Sequence, residues 1–238
     1  MEIVVPSKQR ANRITSHTLQ WFPEAIVCIE ETEVRDYSGL RCRLLAHPPL
    51  PGLSAIINWI LDCQEIMGES IAIVDDDLMN ISSIVDNNAR RITDPRAIAT
   101  IVENCRAMAE GFGARLWGFS VNRRSDSNYA FRPFSLSARI GSFRGFSDRS
   151  IRLDESFRRH DDADLTLSEL LTRRIVFRDD RFNFVFRPIY NTPGGQTDAL
   201  KQESQSSEEK RLVSKWGRYI ALVKSPYHEH ETRICVER

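Results

Sequence analysis

Residues 72–79 read AIVDDDLM, an apolar run ending on three adjacent acids, Asp75, Asp76 and Asp77. Like charges this close repel, and each carboxylate taken out of water without a partner costs several kcal/mol. Positive charge has to offset that cost. Two carboxylates spaced Asp-x-Asp at a rigid strand end suit a hard divalent cation, Mg2+ or Mn2+, whose open positions take phosphate oxygens. The plainer reading is a solvated acidic turn with one aspartate capping a following helix; the apolar strand in front weighs against it.

Two other stretches carry chemistry. Pro6-Ser7-Lys8-Gln9-Arg10 offers a hydroxyl and two cations to a nucleotide base and its phosphates. It is not a Gly-rich phosphate loop, so the P-loop and dinucleotide fingerprints are both absent. Read alone it is a basic surface turn. Arg158-Arg159-His160-Asp161-Asp162-Ala163-Asp164 leads into an amphipathic helix read from Leu165. Acids there are favoured by the helix dipole, and one of them is also placed to act as a carboxylate base.

The elements that must position these residues alternate. Strands are expected over Glu2–Val5, Ala25–Glu31, Arg41–Ala46, Ser70–Val74 and Leu116–Val121. Helices are expected over Ala11–Phe22, Gly52–Met67 and Asp94–Gly113, the last with Asp94 as N-cap, Pro95 in the first turn and glycines at its end. Such alternation predicts a mostly parallel sheet with helices on both faces. Ligands of such sheets bind beyond the carboxyl ends of the strands. Residues 6–10, 47–49 and 75–77 share that rim. The second half is less regular. Phe131–Asp148 reads as short strands and turns, Leu165–Arg174 as a helix and Phe182–Arg187 as a strand. Thr192–Lys210 reads as a polar mobile loop entering a helix at Glu208–Trp216.

A chain of 238 residues, 41% apolar and 28% charged with zero formal net charge, suits one α/β domain of an ordinary globular protein. Five scattered cysteines without a C-x-x-C pair read as reduced thiols of a cytosolic protein. No secretory leader is read at the N-terminus, and no window approaches the ~20 apolar residues of a membrane span.

In this order, PSK-x-R, G-L-x-x-x-x-N-W-I-L-D (Gly52–Asp62) and the apolar D-D-D-L resemble the TET/JBP-associated glycosyltransferases of bacteriophages, members of the GT-A superfamily. The glycines at 141–145, D-D-x-D-L-T-L (Asp161–Leu167), P-G-G (Pro193–Gly195) and K-W-G (Lys215–Gly217) agree. The resemblance implies a single GT-A-like, Rossmann-type domain with a nucleotide-sugar half, 1–121, and an acceptor and catalytic-base half, 122–238. It implies an inverting, metal-dependent transfer from a UDP-sugar to 5-hydroxymethylcytosine in DNA. It further implies action in the cytoplasm of an infected host, downstream of a TET-like dioxygenase and away from membranes. Residue by residue, it places metal ligands at Asp75 and Asp77. The donor falls to Pro6, Ser7, Lys8, Arg10, Asn58, Asp75, Asp76, Gly194 and Gly195. The base is expected at Asp161-Asp162, with Asp162 favoured and Asp164 in reserve; the family's Glu-Asp is Asp-Asp here. His228 and His230 are available as a late metal ligand.

A duplex base must be flipped to enter a concave site, which calls for phosphate contacts and aromatic stacking. Residues 122–152 interleave arginines with tyrosine and phenylalanines, and Arg123, Arg124 and Arg132 are expected on a DNA face. The competing readings are a GT-A enzyme with a carbohydrate, lipid or small-molecule acceptor, a nucleotidyltransferase, and a DNA-binding module without catalysis.

Overall fold

The computed structural model describes residues 1–85, 88–121, 132–187, 205–224 and 231–236. Strand β1 is Glu2–Pro6, followed by two single-turn helices, α1 (Ala11–Ile14) and α2 (Thr18–Trp21), in place of the one helix expected over 11–22. Then come β2 (Ile26–Glu30), α3 (Val34–Tyr37), β3 (Leu44–His47), α4 (Leu53–Asp62) and β4 (Ile71–Val74). The acids after β4 lead into a hairpin with no counterpart in the expected pattern, β5 (Leu78–Val85) and β6 (Asn88–Arg91). Helix α5 (Pro95–Gly111) begins as its sequence dictates: the Asp94 side chain accepts the Arg96 N–H at 3.0 Å and Pro95 fills the first position. Strand β7 is Leu116–Val121, as expected.

The later elements are β8 (Phe134–Ser135), β9 (Phe143–Phe146), α6 (Asp161–Thr172), β10 (Phe177–Phe186), α7 (Gln205–Trp216) and the ribbon β11 (Ile220–Val223) and β12 (Glu231–Ile234). Helix α6 starts four residues before the expected Leu165, so Asp161, Asp162 and Asp164 lie in its first turn. The residues 192–204 of the expected mobile loop lie outside the described residues; its end belongs to α7.

The large sheet runs β3-β2-β1-β4-β9-β7-β10-β5-β6, with β8 on β10. Strands β3, β2, β1 and β4 are mutually parallel, β9 is antiparallel to both β4 and β7, and β7 is parallel to β10. Most strands point the same way, as expected, and β9, β5 and β8 run against the grain. Both faces of β4 are covered: Ala72 and Val74 join the core that contains the buried residues of α5, and Ile71 and Ile73 join the core shared with α4 and α6. That explains the continuous apolar run, as opposed to an alternating one. At the β7–β9 seam Trp117 lies opposite Gly145, where a Cβ would stand 1.9 Å from the indole; only glycine lets the ring cross the strand. Among the described residues no helix is long and apolar enough to cross a membrane.

Candidate active site

Parallel pairing brings the acids to the basic loop. Register between β1 and β4 (Glu2↔Ile71, Ile3↔Ala72, Val4↔Ile73) sets the carboxyl ends of the two strands side by side. Ser7, just beyond Pro6, continues the ladder by donating its N–H to the Cys28 carbonyl at 2.9 Å. Its hydroxyl donates to Asp76 Oδ2 at 2.6 Å and lies 2.8 Å from the Tyr37 hydroxyl. Gln9 takes the left-handed conformation (φ 57°), with its N–H held by Glu33 at 2.7 Å, and so turns the chain back toward the acids. Arg10 then reaches Asp76 Oδ1 at 2.5 Å and Asp77 at 3.5 Å, and its own N–H donates to the Tyr37 hydroxyl. Lys8 points elsewhere, to Glu30 at 3.2 Å.

The turn of the acids is pinned at both ends. Thr18 donates its hydroxyl to the Asp75 carbonyl at 2.7 Å and accepts the Leu78 N–H at 3.1 Å. The Asp75 N–H donates to the Ser142 carbonyl, extending the β4–β9 ladder, and the Arg187 N–H donates to the Asp77 carbonyl. Asp76 is buried and fully engaged, whereas Asp75 and Asp77 are partly exposed.

Across β9 lies the second acidic patch. Arg144, opposite Ile73 in the ladder, lies on the same strand face as Asp75. It donates to Asp161 at 2.6 Å and to the Gly141 carbonyl at 3.0 Å. Arg139 grips Asp162 with two hydrogen bonds of 2.7 and 2.5 Å and donates to Thr232 at 2.8 Å. Asp162 Oδ1 also accepts the Ala163 N–H.

The electrostatics of the two patches differ. Burial pushes the Asp77 carboxyl up to about 7, reinforced by the charges of Asp75 and Asp76 and only partly relieved by Arg10. Burial pushes Asp75 up to about 6, opposed by Arg144 and a hydrogen bond from Ser142. Asp161 is raised by burial despite Arg144, while for Asp162 burial is outweighed by Arg139 and its carboxyl is held low. Together Asp75, Asp76, Asp77, Asp161 and Asp162 face three guanidiniums, Arg10, Arg139 and Arg144. Two negative charges are left over when all are ionised. Asp75 and Asp77, the Asp-x-Asp pair, carry the strain.

A divalent cation has the charge this rim lacks. Among the described residues no three His, Cys, Asp or Glu side chains form a metal cluster of their own. A hard cation held by one or two carboxylates and completed by phosphate oxygens needs none. Asp75 and Asp77 fit that donor set.

Several expected site residues are placed differently. Asn58 is a brace: its Nδ2 donates to the Leu153 carbonyl and Glu155 Oε1, both at 3.0 Å, and its Oδ1 accepts the Leu153 N–H at 2.9 Å. No contact among the described residues joins it to the acids, because both ends of its amide are used to tie α4 to the 153–155 loop. Asp164, the reserve base, is buried and accepts Trp216 Nε1 at 2.8 Å and Lys215 Nζ at 2.7 Å, which ties α6 to α7. Gly194, Gly195, Arg123, Arg124, His228 and His230 lie outside the described residues; Arg132 is described and exposed.

Several arginines of the wider stretch are tied to partners within the chain. Besides Arg139 and Arg144, Arg149 donates to the carbonyls of Leu61 (2.7 Å) and Ile66 (3.0 Å), closing the end of α4, and Arg152 pairs with Asp62. Phe143 and Phe146 are core residues. Charge composition alone could not separate this use from a nucleic-acid face. Tyr37, Thr18 and Ser142 went unnoticed in the sequence, since nothing local marks a residue that acts about 30 to 70 positions away.

No protein-family model matches the chain, and no curated protein matches its sequence. Solved structures do. Glucosyl-3-phosphoglycerate synthase from Mycobacterium tuberculosis, solved with Mn2+, UDP and phosphoglyceric acid, superposes with TM-score 0.55 at 15% identity over 98% of this chain and 86% of that one. A mannosyltransferase from Pyrobaculum calidifontis, solved with GDP-Man and Mn2+, superposes with TM-score 0.53 at 14% identity over 80% of this chain and 57% of that one. At such identities the fold is what is shared, and the chain has the GT-A-like α/β fold of these sugar-nucleotide transferases.

Proposed function

We propose that this chain is a metal-dependent glycosyltransferase that uses a nucleotide-diphosphate sugar, UDP-linked in the first instance. The carrying observation is the charge deficit at the rim: five carboxylates against three guanidiniums, with the excess on Asp75 and Asp77. The Mn2+ in both fold neighbours, with UDP in one and GDP-Man in the other, supports the same reading.

Asp75 and Asp77 would hold the cation, which supplies charge stabilisation to the departing diphosphate. Ser7, Asp76, Tyr37 and Arg10 form a rigid floor beside it; Asp76, locked by Ser7 and Arg10, orients the loop on which the nucleotide rests. Proton acceptance belongs to the Asp161-Asp162 pair. The geometry favours Asp161 over Asp162, reversing the preference drawn from the resemblance. Both Asp162 oxygens are held by Arg139, whereas only Oδ2 of Asp161 is in a described hydrogen bond, and burial raises its proton affinity. Attack by an acceptor hydroxyl on the face opposite the leaving diphosphate inverts the anomeric centre in one displacement, the opposite-face geometry of inverting glycosidases.

The test is nucleotide release from a panel of UDP- and GDP-sugars with Mn2+, with and without chelator. Release that needs both metal and Asp77 is expected; metal-independent release, or none from any donor, would overturn the reading. Two acceptor classes follow from different observations. The ordered motifs favour 5-hydroxymethylcytosine in DNA, with Arg132 on the exposed surface. The neighbour solved with phosphoglyceric acid favours a small anionic hydroxy acid. Mass spectrometry of both acceptor types after incubation with the active donor separates them.

A further inference from the structure

Three consecutive backbone N–H groups, those of Arg158, Arg159 and His160, converge on one oxygen, Glu208 Oε1, at 3.0, 2.7 and 3.0 Å. Glu208 stands in the first turn of α7 and is 1% exposed. His160 is the N-cap of α6 and makes no side-chain cap. The strap 158–160 therefore has its donors satisfied from 48 to 50 residues away. The next two residues are Asp161 and Asp162. Helix α7 grips α6 a second time through Trp216 and Lys215 on Asp164. A buried carboxylate accepting three amide hydrogens is a strong, charge-assisted lock. Its loss would leave three donors with no partner, and such donors pull the backbone toward water.

From this geometry, and resting on the glycosyl-transfer reading above, we propose that Glu208 is a positioning residue for the base pair. By holding the N–H of the N-cap residue and of the two residues before it, Glu208 fixes the strap and thereby the height and azimuth at which α6 presents Asp161 and Asp162 to the acceptor hydroxyl. Seating of α7 and presentation of the base are one event. Glu208 touches neither the Asp75–Asp77 turn nor the 7–10 loop among the described contacts, so donor binding is left alone.

Glu208→Ala and Glu208→Gln separate this role from general support. The Gln carbonyl oxygen can still accept all three N–H groups, so Glu208→Gln is the rescuing variant. With the donor found active, Glu208→Ala is expected to lower kcat about 10- to 100-fold, the scale of a displaced catalytic group. The Kd of UDP with Mn2+ should stay within about twofold, and Glu208→Gln should recover most of kcat. Wild-type kcat in Glu208→Ala, or parallel loss of nucleotide binding and kcat in both variants, overturns the proposal. Amide hydrogen exchange in the folded protein gives a readout independent of turnover. Faster exchange confined to 158–163 in Glu208→Ala and absent from Glu208→Gln is expected; unchanged protection there overturns it. If the wild type releases no nucleotide from any donor, the transferase reading falls by itself while exchange still decides whether Glu208 holds the strap.

Discussion

Two acidic patches flank Arg144, and they are built on opposite principles. At the start of α6 each carboxylate has its own guanidinium, Asp161 with Arg144 and Asp162 with Arg139. At the tip of β4 Arg10 serves two carboxylates, Asp76 at 2.5 Å and Asp77 at 3.5 Å, and Asp75 draws only on Arg144, already paired with Asp161. The residue type is the same and the burial similar. On the proposed reading the number of cations within reach sets the role: a balanced patch would hold a proton-accepting geometry, and an unbalanced one would recruit a cation from solution.

Removing an acid from the unbalanced patch should break the contrast most severely. Asp77→Ala should lower metal-dependent turnover by about 10³-fold, the several kcal/mol of charge stabilisation a catalytic cation supplies. It should simultaneously raise the melting temperature of the metal-free protein, because a repelled carboxylate is gone; calorimetry with chelator present checks the second part. In the balanced patch, Asp161→Asn should cost about 10²-fold or more in kcat with Mn2+ binding preserved, as befits a lost base. An equal loss from Asp162→Asn alone would return the assignment to Asp162.

Arg144→Ala should destabilise the fold by about 3–5 kcal/mol, since it strands the buried Asp161 carboxylate. The double variant Arg144→Met, Asp161→Leu should recover much of that stability without activity, which urea titration can measure.

The pH response sharpens the same contrast. The folded-state values of Asp75 and Asp77, about 6 and about 7, lie above the ordinary carboxylate value, so the folded chain binds these protons more tightly than the unfolded one. Metal-free stability therefore falls as pH rises from about 4 to about 7, opposite to a salt-bridged carboxylate. Mn2+ affinity should rise over the same window as it displaces those protons. Melting curves at pH 5 and 8, with and without Mn2+, give the sign directly. The smallest effect is expected away from both patches. Asn58→Ala should cost about 1–3 kcal/mol of stability through its unpaired loop partners and leave kcat near wild type.

Local signals were legible where the physics is local. The β4 run and its acids, the Asp94-Pro95 helix start and the β7 strand all stand where composition and spacing put them. Strand β5 was not legible, because its pairing with β10 spans about a hundred residues, and its local partner β6 went unread with it. Helix α6 begins earlier than expected, and the strap that leads into it is held by Glu208, 48 residues from His160, and not by a neighbour. The arginines of 139–152 looked like a nucleic-acid face for the same reason: their partners are Asp161, Asp162, Asp62 and the end of α4, none adjacent in sequence.

By itself the sequence determined that an apolar strand would end in three acids at the carboxyl rim of a largely parallel sheet, since side-chain period and burial are properties of a short segment. Only the tertiary structure decided which acid is neutralised. Arg10 meets Asp76 across 66 positions, Arg144 meets Asp161 across 17, and Asp75 and Asp77 are left short of charge. Coulomb energies depend on distance through space, and strand order, not chain order, sets that distance.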